Sequence, residues 1–158
     1  MPPASTTFVF ESALRTSRTA LWQWIIDFRC LRREMMPWLR MTSPRGVRHI
    51  TDLPYRAGQP LCVSVLCLFG VLPLAMSRLT FMDMQERQGF LEQSPITWMR
   101  AWSHQRQILD CPDQPDLVLL RDTVTFVPRF FPRLSTWLVR RFFAHRHARL
   151  RRVHRASA

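Results

Sequence analysis

PRLSTWLVRRFFAHRHARLRRVHR, residues 132–155, is the stretch whose reading decides the fold. Pro132 suits the first turn of a helix, where an absent N–H costs nothing. No Gly or Pro follows it to the end of the chain. Leu134, Trp137, Leu138, Phe142, His145 and Arg149 recur at steps of three and four, which is helical spacing. Val139, Phe143 and Leu150 widen the apolar stripe, while Arg133, Arg140, Arg141, Arg146, Arg151, Arg152 and Arg155 cover much of the remainder. Arginine toward the C-terminal end also complements the helix dipole. The spacing predicts one long amphipathic helix of roughly six turns, at about 3.6 residues per turn. A stripe of Trp and Phe that wide needs a surface to cover.

The rest of the chain offers mostly strands. Thr6–Leu14 sets Phe8, Phe10 and Ser12 against Val9, Glu11 and Ala13, an opening strand with one largely apolar face. Ser17–Leu31 puts Leu21, Trp24, Ile25 and Phe28 on one helical face, and a second short helix, Arg32–Met36, stops at Pro37. One strand is expected around Val47–Ile50. Leu61–Phe69 is apolar on both faces, as a central strand covered on each side is. Strands follow at Ala75–Glu86, Gly89–Gln93, Trp98–Leu109 and Leu117–Val127. Strand, two helices, several antiparallel strands and a long helix make an α+β chain. The expected architecture is a curved antiparallel sheet gripping the C-terminal helix, in one domain over residues 1–158, with a concave apolar space between sheet and helix.

Composition sets bounds on function. The 158 residues are 47% hydrophobic, which is globular composition. The formal charge is +12, and all 23 basic residues are Arg. Such a charge attracts nucleic acid or anionic lipid. Lys and Asn are both absent, however, which reads as codon bias and weakens Arg abundance as evidence for phosphate binding. Cys30, Cys62, Cys67 and Cys111 form no CxxC and no zinc-finger spacing, so four free thiols in a reducing cytoplasm are expected. MPPASTTFVFESALR has no secretory pattern. Pro60–Met76 is uncharged but falls short of the roughly 20 apolar residues of a membrane helix. It contains Gly70 and Pro73, and reads as a strand, a turn and the start of another strand.

The order of elements and several local motifs resemble the START-like, or SRPBCC, helix-grip superfamily, which contains polyketide cyclases and Bet v 1-like proteins. The pieces are FVFESALRTSRTALWQWIIDF, GVLPL at Gly70–Leu74, GFLEQSP at Gly89–Pro95, WSH at Trp102–His104, RDTVTFVP at Arg121–Pro128 and FFAHRHARLRR at Phe142–Arg152. They span nearly the whole chain in order and look most similar to the bacterial cell-division-inhibitor-like branch. The resemblance implies a hydrophobic-ligand binding fold. Two departures stand out: Ser94–Pro95 replaces a frequent Gly-Pro, and Arg106 stands where relatives carry a second His.

Candidate cavity residues follow from strand and helix faces. Trp102, His104 and Arg106 share one strand face, and Asp122 shares a face with Val118, Leu120, Val124 and Phe126. Trp137, Leu138 and Phe142 are expected to wall the cavity from the helix. His145, His147 and His154 suggest a metal, but HxH on a helix separates two side chains by about 200°. A solvated helix end is the expectation there, with no metal. GxGxxG, GxxxxGK[ST], HExxH and GxSxG are all missing, so no cofactor is expected. The expected function is binding of an apolar small molecule such as a lipid, isoprenoid or polyketide. Two alternatives stay open: a cyclase- or dehydratase-like enzyme using His104, Arg106 and Asp122, and a basic module. For the second, weak contact of the Arg-rich tail with anionic membrane is the expected form, rather than nucleic-acid binding.

Overall fold

The computed structural model describes residues 4–155. The ends of the expected domain, 1–3 and 156–158, lie outside them. The element order is β1 (Thr6–Leu14), α1 (Arg18–Ile26), α2 (Phe28–Met35), β2 (Leu39–Met41), β3 (Pro60–Leu68), β4 (Leu72–Gln85), β5 (Gly89–Glu92), β6 (Met99–Asp110), β7 (Val118–Pro128) and α3 (Pro132–Val153). The seven strands form one antiparallel sheet in the order β1-β7-β6-β5-β4-β3-β2. It curls into a half-barrel, with α1, α2 and α3 on its concave side. This is the expected helix-grip architecture.

Alternation makes β7 the clearest strand. Val118, Leu120, Asp122, Val124 and Phe126 are all buried, and the residues between them are only half-covered. Its neighbour β6 pairs Ile108 with Leu120, Arg106 with Asp122, His104 with Val124 and Trp102 with Phe126. The one charged residue in β7's buried register therefore lies directly opposite an arginine. Gly89 begins β5 at φ +134°, and a Cβ there would stand 1.9 Å from the Arg106 carbonyl oxygen. Only glycine lets β5 approach β6 that closely.

Several local expectations need correction. The helical run after β1 breaks at Asp27 rather than after Leu31. Asp27 adopts an extended conformation, and its carboxylate accepts from the Arg29 backbone N–H at 2.7 Å, capping α2. Around Val47–Ile50 there is no strand. His49 makes one isolated bridge to Asp27, and a single 3-10 turn follows at Ile50–Asp52, while the short edge strand lies earlier, at Leu39–Met41. β3 is next to that edge rather than central, and Val63 is 53% exposed. Its continuous apolar run covers the cavity on one face and meets solvent on the other.

The helix α3 starts at Pro132 as expected and ends at Val153, two residues before the expected Arg155, and it is rolled about its axis. Its buried stripe is Ser135, Val139, Phe143, Arg146, His147 and Leu150. Trp137, expected on the cavity wall, is 52% exposed, and Leu134 is 49% exposed. A rotation of about 100°, the step of a single residue, separates the stripe drawn from the largest side chains from the one the sheet covers. The roll is decided by what the facing surface needs. Arg146 and His147 find buried ionic partners there, and Phe143 lies across Phe10 with ring centroids 5.7 Å apart.

Candidate ligand cavity and its buried ionic floor

Between the sheet and α3 lies a cavity of about 360 Å³. Its walls are mainly aliphatic and aromatic, from α2 and the loop to β2 (Met35, Trp38), from β3 and β4 (Leu66, Leu68, Leu79, Phe81) and from α3 (Leu138, Val139, Phe142). Polar side chains enter mainly at one place, where Glu92, His104, Arg106 and Arg146 meet. Of the residues singled out from the sequence, Trp102, His104, Arg106, Leu138 and Phe142 line this space. Asp122 and Phe126 are completely buried behind the lining, and Trp137 points away from it. His147, expected at a solvated helix end, is 2% exposed and is part of the interior. Arg146, expected on the solvent face, is 5% exposed.

The floor is an ionic network assembled from three parts of the chain. Arg106 grips Asp122 in a two-pronged pair, Nε donating to Oδ1 and Nη2 to Oδ2, each at 2.7 Å. Its other face donates to Glu34 on α2 at 3.2 and 3.0 Å. Glu34 also accepts from Arg146 Nε at 2.7 Å and from the Trp24 indole N–H at 3.2 Å. Asp122 receives two further donors, His104 Nε2 at 3.1 Å and His147 Nε2 at 3.0 Å. An ionised carboxylate only accepts, so both rings present an Nε2–H. The His147 Nδ1 then accepts from the Ser12 hydroxyl at 2.8 Å, and Ser12 itself accepts from Arg151 at 2.8 Å.

Burial alone would raise both carboxyl pKa values. In Glu34 the guanidiniums of Arg106 and Arg146 outweigh that and hold the group at about 2. In Asp122 Arg106 and His104 overcome burial and keep the group well below the ordinary range. The same carboxylates raise the pKa of Arg106 despite its complete burial. Two carboxylates and two guanidiniums thus stay charged in the interior, each balanced by the others.

This wiring bears on chemistry. Four of the five N–H donors of Arg106 and the Nε2–H of His104 are committed to carboxylates rather than aimed at the open space. His104 Nδ1 has Glu92 Oε2 at 3.5 Å, and the other oxygen of Glu92 accepts from Ser94 at 2.6 Å. Among the described residues no cluster of His, Cys, Asp and Glu could hold a metal ion. Nothing local distinguishes Glu34, Glu92 and Arg146 from solvated helix or strand residues, and His147 stands out only through the HxH spacing, which points to a solvated helix end. Their only signal is the Asp in β7's buried alternation, which requires partners without naming them.

The family model described as a domain of unknown function (DUF8410) matches residues 12–154. The chain belongs to that family. No curated protein matches it in sequence. Solved structures with the same architecture include protein CV1439 from Chromobacterium violaceum, at 9% identity and TM-score 0.69 over 96% of this chain and 99% of that one. Ara h 8.0201 aligns at 12% identity and TM-score 0.64 over 98% of this chain and 100% of that one. A START superfamily protein from Mycobacterium smegmatis aligns at 12% identity and TM-score 0.63, over 94% and 97% respectively. At these identities the likeness establishes the helix-grip fold shared with Bet v 1-like and START proteins. It does not extend to the cell-division-inhibitor-like branch. No helix of the described residues is long and apolar enough to cross a membrane.

Proposed function

We propose that this protein binds an apolar small molecule, of lipid, isoprenoid or polyketide character, in the cavity between the sheet and α3. The observation that carries the reading is the cavity itself. Its volume of about 360 Å³ falls within the roughly 300–1,000 Å³ range of small-molecule pockets. Its walls are apolar, and polar side chains are concentrated on one floor. In this reading Trp102, Leu138 and Phe142 contact the apolar body of the ligand, and Arg146 and Glu92 meet its polar end. Asp122 and Phe126 support the lining from behind. The helix-grip fold is consistent with such a role. Binding is favoured over cyclase- or dehydratase-like catalysis because four of the five Arg106 donors and the Nε2–H of His104 are held within the network. A free acid or base facing the substrate is what such catalysis needs.

The test is native mass spectrometry of the protein purified from its natural host, before and after organic extraction. An extractable mass that rebinds, and that a Leu138→Arg variant no longer retains, is the expected result. A protein that carries no adduct and takes up no apolar probe such as a fluorescent fatty acid would overturn the reading.

A further inference from the structure

The cavity has a mouth, and what surrounds it is unusual for a soluble surface. Leu74 and Leu134 each line the cavity and are open to solvent, at 37% and 49%. The opening therefore lies between the β3–β4 hairpin and the first turns of α3. Apolar exposure continues outward on both sides. The hairpin turn presents Phe69 and Val71, at 59% and 81%, and the start of α3 presents Phe131 and Trp137, at 67% and 52%. Large side chains left open on both lips of one cavity mark an interaction surface rather than scattered surface residues.

Charge is segregated along the same axis. The strand register puts the start of β4, the start of β6 and the end of β7 at one end of the sheet. The β4–β5 and β6–β7 turns lie at the other, and exposed Asp83, Glu86, Asp110, Asp113 and Asp116 collect there. Two of the arginines at that acidic end are paired, Arg15 with Asp116 and Arg18 with Asp110. Residues 53–82 and 123–158, which supply both lips, contain no acidic residue. Exposed Arg78 and Arg141 on these elements, and Arg40 on β2 beside the hairpin, have no ion-pair partner among the described residues. The Arg-rich tail at the end of α3 does not share this location. Arg151, His154 and Arg155 lie beside Arg15 and Leu117, at the acidic end.

We propose that the apolar lips, with their unpaired arginines, dock on an anionic phospholipid bilayer, so that the cavity opens toward lipid. Trp and Phe settle at the headgroup level, and arginine is attracted to anionic headgroups. A second copy of this chain is a poorer occupant, because a two-fold contact would bring the same arginines together. The proposal deepens the ligand-binding reading by naming the phase from which an apolar ligand is drawn. Its test uses vesicles alone, so a negative result leaves cavity occupancy, read by mass spectrometry, where it stands.

The experiment is co-sedimentation with phosphatidylcholine vesicles with and without phosphatidylglycerol. Binding should require phosphatidylglycerol and weaken as salt rises. Val71→Asp/Trp137→Asp should weaken it at least about ten-fold, since two apolar anchors are lost. Arg40→Ser/Arg78→Ser/Arg141→Ser should weaken it about a hundred-fold, while Arg152→Ser/Arg155→Ser should leave it unchanged. Far-ultraviolet dichroism checks that each variant is folded. As an independent readout, brominated lipids should quench wild-type fluorescence more strongly than that of Trp137→Phe. No vesicle binding by the wild type overturns the proposal. So does binding lost in the tail variant and kept in the lip variants, or a concentration-dependent dimer that the lip variants abolish in place of vesicle binding.

Discussion

At the scale of single residues, Arg106 is the pivot of the interior. It is 1% exposed and holds Asp122 and Glu34 at once. A buried pair adds little compared with apolar residues of the same shape, but removing one partner strands the other charge and costs about 3–5 kcal/mol. Arg106→Met removes the partner of two carboxylates, and its cost should reach at least that range in urea unfolding. A loss below about 1 kcal/mol would mean that Arg146 and the histidines suffice to hold both acids. Arg106 and Asp122 were legible as candidates because each sits in a strand register with apolar neighbours. Glu34 was not, since RREMM reads as an ordinary charged helix end and the partners of Glu34 lie 72 and 112 residues away.

At the scale of elements, α3 is the closing helix but not with the face its largest side chains suggest. Phe143 is 1% exposed and packs against Phe10, Trp102 and His104, whereas Trp137 is half in solvent. Phe143→Ala should therefore cost about 3–5 kcal/mol, a large part of a typical stability of about 5–15 kcal/mol. Trp137→Ala should cost under about 1 kcal/mol, as exposed substitutions mostly do. Thermal melts of the two side by side decide it, and a larger loss in Trp137→Ala would return the helix to the roll that periodicity suggests. Truncation after Leu150 should also destabilise the fold, because Arg151 donates to Ser12 and so completes the chain through His147 to Asp122. The extent of α3 was readable because an unbroken run without Gly or Pro shows in any window. Its roll was not, because the stripe is wide and two of its buried members are Arg146 and His147, which composition assigns to solvent.

At the scale of the whole molecule, the ionic network ties α2, β6, β7 and α3 together, so its titration is a global event. Glu34 has an ordinary pKa of 4.5 and is held at about 2 in the fold. Asp122 is lowered in the same direction. A group with a depressed folded pKa contributes stability that is fully present above its unfolded value and is lost as pH falls toward the folded one. For Glu34 the shift corresponds to about 3 kcal/mol. Urea midpoints should hold steady from neutral pH down to about 4.5 as far as these groups are concerned, then fall toward about 2. A midpoint that drops across the neutral range and is flat below it would show that these two carboxylates do not set the dependence. By itself the sequence determined the kind and order of the major elements, the extent of the last helix and the apolar character of what it covers, since period and turn chemistry are local properties. Tertiary structure alone decided which face of α3 is buried, which charges neutralise one another and where the mouth of the cavity lies. Each of these depends on partners brought together across the length of the chain, where burial makes an unpaired charge too costly to leave.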